Sequence, residues 1–517
     1  MQELWTTMKI LLLLATIAGL SAVQGYHILC YHPLPSKSHD TLAKGIVMPL
    51  LRAGHKITWV TPYPAGKPKN VTIIDVSETI KVAQGLNIAK ERVHGFEVAK
   101  TFATNITKVA FNDALKTALS QNQYDAVITE WFFSDVESGI AAIQKVPWIL
   151  LSGIVMHSHL EDLVDRVTSI PTIPMMVNSF PIPMSFWDRV ENTYSHLKTT
   201  VVDWLEYSTE VSKYEGYFKP LTQARGVVLP PYSVARRNVS VLLVNSHPSF
   251  APARSLPPNV VDIGGYHIDE DTPPLPKDLQ EILDSSPEGV VYFSMGSVLK
   301  SAGFPEQMRK DLIEVLGSIP YTVLWKFEEK LEGLPKNVHV RPWMPQTSIL
   351  AHPNVKIFIT HSGLLSTLEA LHYGVPMLAI PVFGDQPGNA DRGVRSGYAV
   401  KVDFGPDIKE ELKKGLNEMF SNDRYYKTAK YISKLFRHRP VAPSKLITNY
   451  VELAIESKGA YHLRSKTNLY EWYQLWMLDQ IAALIAIVIT IYIVINKIIG
   501  LFKQPKVNKF HKDKKNK

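Results

Sequence analysis

Two doubly wound α/β lobes followed by one membrane-crossing helix is the architecture this sequence predicts, and three observations predict it. Short β-rich runs alternate with helical patterns in two successive sets; a Pro-rich stretch separates the sets; and a continuous apolar segment near the C-terminus is followed by a Lys-rich tail. At 517 residues the chain exceeds one ordinary core, so two lobes of roughly 200 residues each are expected once the ends are removed.

The first lobe is expected over 26–246. It opens with "YHILCYHPLPSKSHD", a short strand running into a Pro/Ser loop, then the helical pattern "TLAKGIVMPLLRAGH" and the β-rich run "KITWVTPYP". Strand, loop, helix and strand in so few residues make a βαβ unit, the building block of Rossmann-like sheets. "YDAVITE", ending at Glu130, and "VPWILLSG" read as further strands. Between Ser158 and Pro220 the chain is rich in Pro, Met and aromatics, which fits either the cover of an apolar pocket or a plain helical insertion. Residues 247–276 are Pro-rich and read as the interlobe linker. The strand and helix alternation then restarts through "GVVYFSMGS", "YTVLWKF", "VHVRPWM", "VKIFITHSG" and "PMLAIPV", giving a second lobe over 277–456.

The ends differ from the body. Lys9 followed by "ILLLLATIAGLSA", with Val23 and Gly25 at small-residue positions, predicts a secretory signal peptide over 1–25. After a juxtamembrane segment, 457–474, the apolar run 475–495 has the length of a bilayer crossing, with Trp472, Tyr473 and Trp476 as an interfacial belt and Asp479 at the near interface. The tail, 496–517, holds eight lysines against Asp513 alone and so carries nearly all of the net charge of +8. The lobes themselves are close to neutral, which argues against a nucleic-acid partner. The Lys excess instead predicts a cytosolic tail and a lumenal body, a single-pass type I arrangement, and Lys514 and Lys515 resemble a dilysine signal for the endoplasmic reticulum. The sequons at Asn70, Asn105 and Asn238 are compatible with a lumenal body, and a single cysteine, Cys30, excludes an intrachain disulfide.

In open α/β sheets ligands lie beyond the carboxyl ends of the strands, and the second lobe has polar clusters there. Ser294-Met295-Gly296-Ser297 is a small-residue turn able to approach phosphate. Arg341-Pro342-Trp343-Met344-Pro345-Gln346 offers an aromatic for a base with an amide nearby. His361-Ser362-Gly363 opens a helix carrying Ser366 and Glu369 on one face, and a helix N-terminus suits an anion. Asp385-Gln386 supplies an acid and an amide suited to sugar hydroxyls.

In order and spacing, Trp343-x-x-Gln346, His361-Ser-Gly363-x-x-Ser366-x-x-Glu369, Gly374-x-Pro376 and Asp385-Gln386 resemble the donor-binding signature of the UDP-glycosyltransferases, the UDP-glucuronosyl and UDP-glucosyltransferase family, and most closely its membrane-anchored invertebrate-like members. The resemblance implies the GT-B fold, two Rossmann-like lobes with the active site in the cleft. It implies that Trp343 stacks on uracil, that Gln346 and Glu369 serve the ribose, that Ser297, His361, Gly363 and Ser366 hold the diphosphate, and that Asp385 and Gln386 bind the sugar. It also implies a UDP-sugar co-substrate, here UDP-glucose with UDP-glucuronate as the alternative, no metal or organic cofactor, and small lipophilic acceptors such as phenols or steroids, as in detoxification or in hormone or pigment conjugation.

An acceptor hydroxyl needs a base. His39, sixteen residues before His55 of "AGHKI", has the placement of the family's catalytic histidine. The family supports it with an aspartate at the end of the strand matching "YDAVITE", where this chain has Glu130; Asp135 is the rival. With these roles the resemblance implies inversion at the anomeric carbon. Two other readings stand beside it. A metal-dependent transferase would use Asp269-Glu270-Asp271, but that run lies in the linker; a non-catalytic lipophile carrier would have no need of both His39 and a complete donor signature. Homo-oligomerisation is left open.

Overall fold

The computed structural model describes residues 25–84, 96–176, 178–269, 271–297 and 299–502. The expected signal peptide (1–25) apart from Gly25, and most of the tail, with Lys514 and Lys515, lie outside these residues, as does Glu270.

Seven strands build the first sheet: β1 His27–Tyr31, β2 Lys56–Thr61, β3 Val71–Asp75, β4 Ala126–Trp131, β5 Trp148–Ser152, β6 Val239–Val244 and β7 Val260–Asp262. Their order is β3-β2-β1-β4-β5-β6-β7, and every neighbouring pair is parallel. Six more build the second: β8 Val290–Ser294, β9 Thr322–Lys326, β10 Val338–Arg341, β11 Val355–Thr360, β12 Met377–Ala379 and β13 Ala399–Lys401, in the order β10-β9-β8-β11-β12-β13 and again all parallel. Parallel strands need crossovers and are covered on both faces, which is why the strands read as continuous Val, Ile and Leu runs. Each sheet has one point where the strand order reverses, between β1 and β4 in the first and between β8 and β11 in the second. The loops leaving those strands diverge and open a crevice, so these two points are where each lobe can hold a ligand.

Alternation along β1 and β4 sorts their side chains between two cores. Leu29, Tyr31, Val127 and Trp131 enter one; Ile28, Cys30, Ala126 and Ile128 enter the other, together with Leu42, Ala43, Ile46 and Leu50 of the helix Lys37–Arg52. Cys30 is fully buried there and burial pushes its thiol up.

Two features depart from the sequence reading, and a third fits its alternative of a helical insertion. The stretch 247–276 is not linker throughout, since β7 lies inside it and pairs with β6 through Leu242, Leu243 and Val244. The helix Pro443–Glu456 belongs in sequence to the second lobe, yet its buried Ile447, Val451 and Ala454 pack into the first-lobe core with Ile28 and Ile149. The Pro- and aromatic-rich region leads into a 40-residue helix, Phe186–Arg225, opened by a Ser185/Asp188 capping box and closed by Gly226 at φ 61°. Its last third is ordinary core, with Tyr214, Phe218 and Leu221 buried.

After the residues 465–468, which bond to Asp165 and Val164 of the first lobe, the chain ends in the helix Leu478–Phe502. This helix is 25 residues long and holds an 18-residue window of mean hydropathy 2.5, long and apolar enough to cross a membrane. It begins three residues later and ends seven residues later than the apolar run 475–495. Asp479 sits in its first turn.

Candidate active site

The first lobe contributes a histidine and carboxylate pair at its switch point. Ser36 caps the helix Lys37–Arg52 by accepting from the His39 backbone N–H, so His39 lies in the first helical turn after β1. Glu130, next to last in β4, shares the strand face of Ala126 and Ile128, the face covered by that helix. His39 Nδ1 and Glu130 Oε1 are 2.6 Å apart, with side chains 24% and 1% exposed. Burial opposes the imidazolium, but the Glu130 charge, its hydrogen bond and the charge of Asp385 across the cleft outweigh it and hold His39 above its ordinary value.

Room for the longer acid comes from Gly153. A Cβ there would lie 2.8 Å from Glu130 Oε1 and 2.9 Å from Leu42 Cδ1. Asp135 is engaged elsewhere: its Oδ1 accepts from Trp131 Nε1 and its Oδ2 from Arg236, both at 2.9 Å or less. Beside the pair, the rings of His39 and Phe132 meet edge to face at 5.6 Å and Phe132 meets Phe102 at 6.1 Å, an apolar wall next to the imidazole.

The second lobe contributes a small-residue turn and a helix N-terminus at its own switch point. β8 ends in the turn containing Gly296 and Ser297, and β11 ends in His361-Ser362-Gly363 at the start of the helix Leu364–Tyr373. The His361 ring is clamped between two glycines: a Cβ on Gly296, where φ is +80°, would lie 2.6 Å from His361 Cε1, and one on Gly363 would lie 2.6 Å from Nε2. Burial and then the nearby Lys326 charge push His361 down to about 4, so its ring is neutral at physiological pH. Lys326, the last residue of β9, donates from Nζ to Gly296 O at 2.9 Å and to Glu328 Oε1 at 2.8 Å. The sequence reading passed over this lysine, although its place at a strand end of the second sheet was a usable signal.

Farther along the cleft, Gln346 Nε2 donates to Ser366 Oγ at 3.0 Å and Glu369 Oε2 at 2.6 Å, while Tyr292 donates to Gln346 Oε1 at 3.3 Å. Glu369 Oε1 also lies 3.2 Å from Nε2 of fully buried His267. That contact joins Gln346 and Glu369 to the segment after β7 and was missed, because nothing local in "GGYHIDED" marks it. Trp343 stands 64% exposed, with Lys326 Nζ 5.9 Å from its ring centre. A large aromatic left in solvent at a strand end, outside every core, is the geometry of a stacking platform.

Asp385 Oδ2 accepts from the Leu364 backbone N–H at 3.2 Å and from Asn389 Nδ2 at 2.7 Å, and burial raises its carboxyl despite those bonds. Gln386 uses its carbonyl to accept from the N–H groups of Val382 and Phe383, at 2.9 and 3.1 Å. Ser297, Trp343, Gln346, His361, Gly363, Ser366, Glu369, Asp385 and Gln386 thus belong to one face of the second lobe, and the influence of Asp385 on His39 ties that face to the first. Among the described residues there is no cluster of three or more His, Cys, Asp or Glu able to hold a metal ion.

Comparison with known proteins agrees with this arrangement. The family profile described as UDP-glucoronosyl and UDP-glucosyl transferase matches residues 45–515. The chain belongs to the UDP-glycosyltransferase family. It is 31% identical over 487 residues to UDP-glucosyltransferase 2 of Dactylopius coccus, covering 92% of this chain and 93% of the relative. It is 30% identical over 487 residues to UDP-glucuronosyltransferase 1A7 of Mus musculus, covering 89% of each. Among solved structures, the glycosyltransferase of kitacinnamycin superposes with a TM-score of 0.55 at 17% identity, covering 83% of this chain and 99% of that one. The calicheamicin glycosyltransferase gives 0.53 at 17%, covering 85% and 98%. The fold is therefore GT-B, and this UDP-glycosyltransferase transfers glucose or glucuronic acid from a UDP-sugar.

Proposed function

We propose that this UDP-glycosyltransferase transfers glucose, with inversion, to a hydroxyl of a small lipophilic acceptor, using His39 as general base and Glu130 to orient it. The observation that carries this reading is the 2.6 Å His39–Glu130 pair within the field of Asp385 of the opposite lobe. With Nδ1 engaged by Glu130, Nε2 takes the acceptor proton as the acceptor oxygen bonds to the anomeric carbon. The bond from that carbon to the β-phosphate oxygen breaks on the opposite side, and the electron pair leaves with UDP. Lys326, the N–H groups that open the helix Leu364–Tyr373 and the neutral His361 ring stabilise the charge growing on the diphosphate. Trp343 stacks on uracil, Gln346 and Glu369 hold the ribose, Ser297, Gly363 and Ser366 line the diphosphate, and Asp385 with Gln386 binds sugar hydroxyls.

Glucose is favoured over glucuronate because the Dactylopius coccus relative is named a glucosyltransferase. A lipophilic acceptor is supported by Phe102 and Phe132 beside His39. We also assign the chain to the endoplasmic reticulum membrane as a type I protein with both lobes lumenal. The helix Leu478–Phe502, the exposed Trp472, Tyr473 and Trp476 before it and the Lys-rich tail support that topology.

The test is UDP release by solubilised membranes given UDP-glucose or UDP-glucuronate with phenols and steroids. Release that needs UDP-glucose and acceptor, and is lost in His39→Ala while UDP binding persists, is the expected result. Equal release by His39→Ala removes the general-base assignment, and release with UDP-glucuronate alone removes glucose. Exposed Asn70, Asn105 and Asn238 give the topology check, a mass decrease on enzymatic removal of N-glycans.

A further inference from the structure

The first half of the helix Phe186–Arg225 is turned inside out. Its polar side faces the protein: Asn192 accepts from Met175 N–H and donates to the carbonyls of Ile170 and Ile173, His159 meets Asp203 at 3.6 Å, and Lys100 pairs with Glu206. Those contacts fix the rotation of the helix. The opposite side carries Trp187, Val190, Tyr194, Leu197, Val201 and Trp204, all exposed, the two tryptophans to 74%. Their spacing alternates three and four residues, the seam of a coiled coil, and exposed Phe186 and Leu205 flank its two ends. The seam stops where the helix docks on the lobe, with Tyr214 as the next large buried residue.

Read in either direction this stripe gives nearly the same side chains, Trp, Val, Tyr or Leu, Leu or Tyr, Val, Trp. Such a palindrome is what a two-fold axis across an antiparallel helix pair requires, because each position then meets its mirror position on an identical partner. With the axis between Ser195 and His196, Trp187 meets Trp204, Val190 meets Val201 and Tyr194 meets Leu197 in one register. The same register sets exposed Glu191 of one copy beside exposed Lys198 of the other, twice by symmetry. Over residues 186–204, the acids Asp188, Glu191 and Asp203 outnumber the bases Arg189 and Lys198, so the segment lacks the basic excess of a helix that lies on a bilayer.

We propose that residues 187–204 form the interface of an antiparallel homodimer, a second copy of this chain covering the stripe. The chain suits a cross-linking test because its single cysteine, Cys30, is buried. Val190→Cys with Val201→Cys in one chain, oxidised in native membranes, is expected to give a disulfide-linked dimer at least tenfold more abundant than Val190→Cys alone, where the two sulfurs stand about eleven residues or ~16 Å apart along the axis. Glu191→Lys is expected to lower the dimer fraction in detergent by light scattering, and adding Lys198→Glu to restore it, with UDP binding unchanged throughout. Efficient cross-linking of Val190→Cys alone overturns the antiparallel register. Absence of cross-linking in the double variant overturns the interface, as does quenching of Trp187 and Trp204 by brominated acyl chains, which makes the bilayer the occupant.

Discussion

Replacing Glu130 by Gln keeps the size of the side chain and removes the charge that faces His39. The wild-type contact is a 2.6 Å charge-assisted bond from a carboxylate that is 1% exposed. Hydrogen bonds to charged groups contribute about 1.5–3 kcal/mol, so if the imidazolium forms in the transition state, kcat falls roughly 10- to 150-fold. The pH profile moves as well. His39 acts as a base only when neutral, and its value lies above the ordinary 6.5, so the acid limb of the wild-type profile is expected above pH 6.5. Without Glu130 the burial cost prevails and the limb shifts to lower pH. Stability follows the linked sign: the pair's contribution is complete below the ordinary histidine value and fades as pH rises through the raised one, so the Tm deficit of the variant narrows with increasing pH. Glu130→Asp keeps the charge but withdraws it by about one bond, ~1.5 Å, and should fall between the two. The assay is UDP release at saturating UDP-glucose from pH 5 to 9, with Tm measured in the same buffers. A Glu130→Gln enzyme with wild-type kcat and an unmoved acid limb would refute the argument.

Asp135→Asn leaves the His39 limb in place, because that carboxylate serves Arg236 instead, and lowers stability by about 1–3 kcal/mol on urea unfolding. Gly296→Ala puts a methyl 2.6 Å from His361 Cε1 at a φ of +80°, and UDP binding by calorimetry should weaken tenfold or more. Trp343→Ala removes an exposed ring, so stability stays within about 0.5 kcal/mol while the loss of stacking, about 1–3 kcal/mol, lowers UDP affinity roughly 5- to 150-fold. Gly153→Ala crowds Glu130 Oε1 at 2.8 Å and should reduce kcat with little change in KM for the UDP-sugar.

Much of this protein is local and could be read without coordinates. Strand periodicity and helix boundaries depend on neighbouring residues, and the donor signature from Trp343 to Gln386 is a set of strand-end loops whose order along the chain is their order around one cleft. The tail's charge and the apolar run before it are likewise properties of composition. What stayed hidden was decided by contacts between residues far apart in sequence. β7 is three residues long and became a strand only because β6 offers it an edge. The helix Pro443–Glu456 left its own lobe because Ile447 and Val451 find deeper burial against the first. Glu130, already favoured over Asp135 in the sequence, reaches His39 because strand alternation points it to the helix-covered face, and Gly153 leaves it space. The sequence by itself determined which groups are present and which strand ends carry them; only the tertiary structure decided which of them meet, since a hydrogen bond is made over about 3 Å and nothing in chain order encodes that distance.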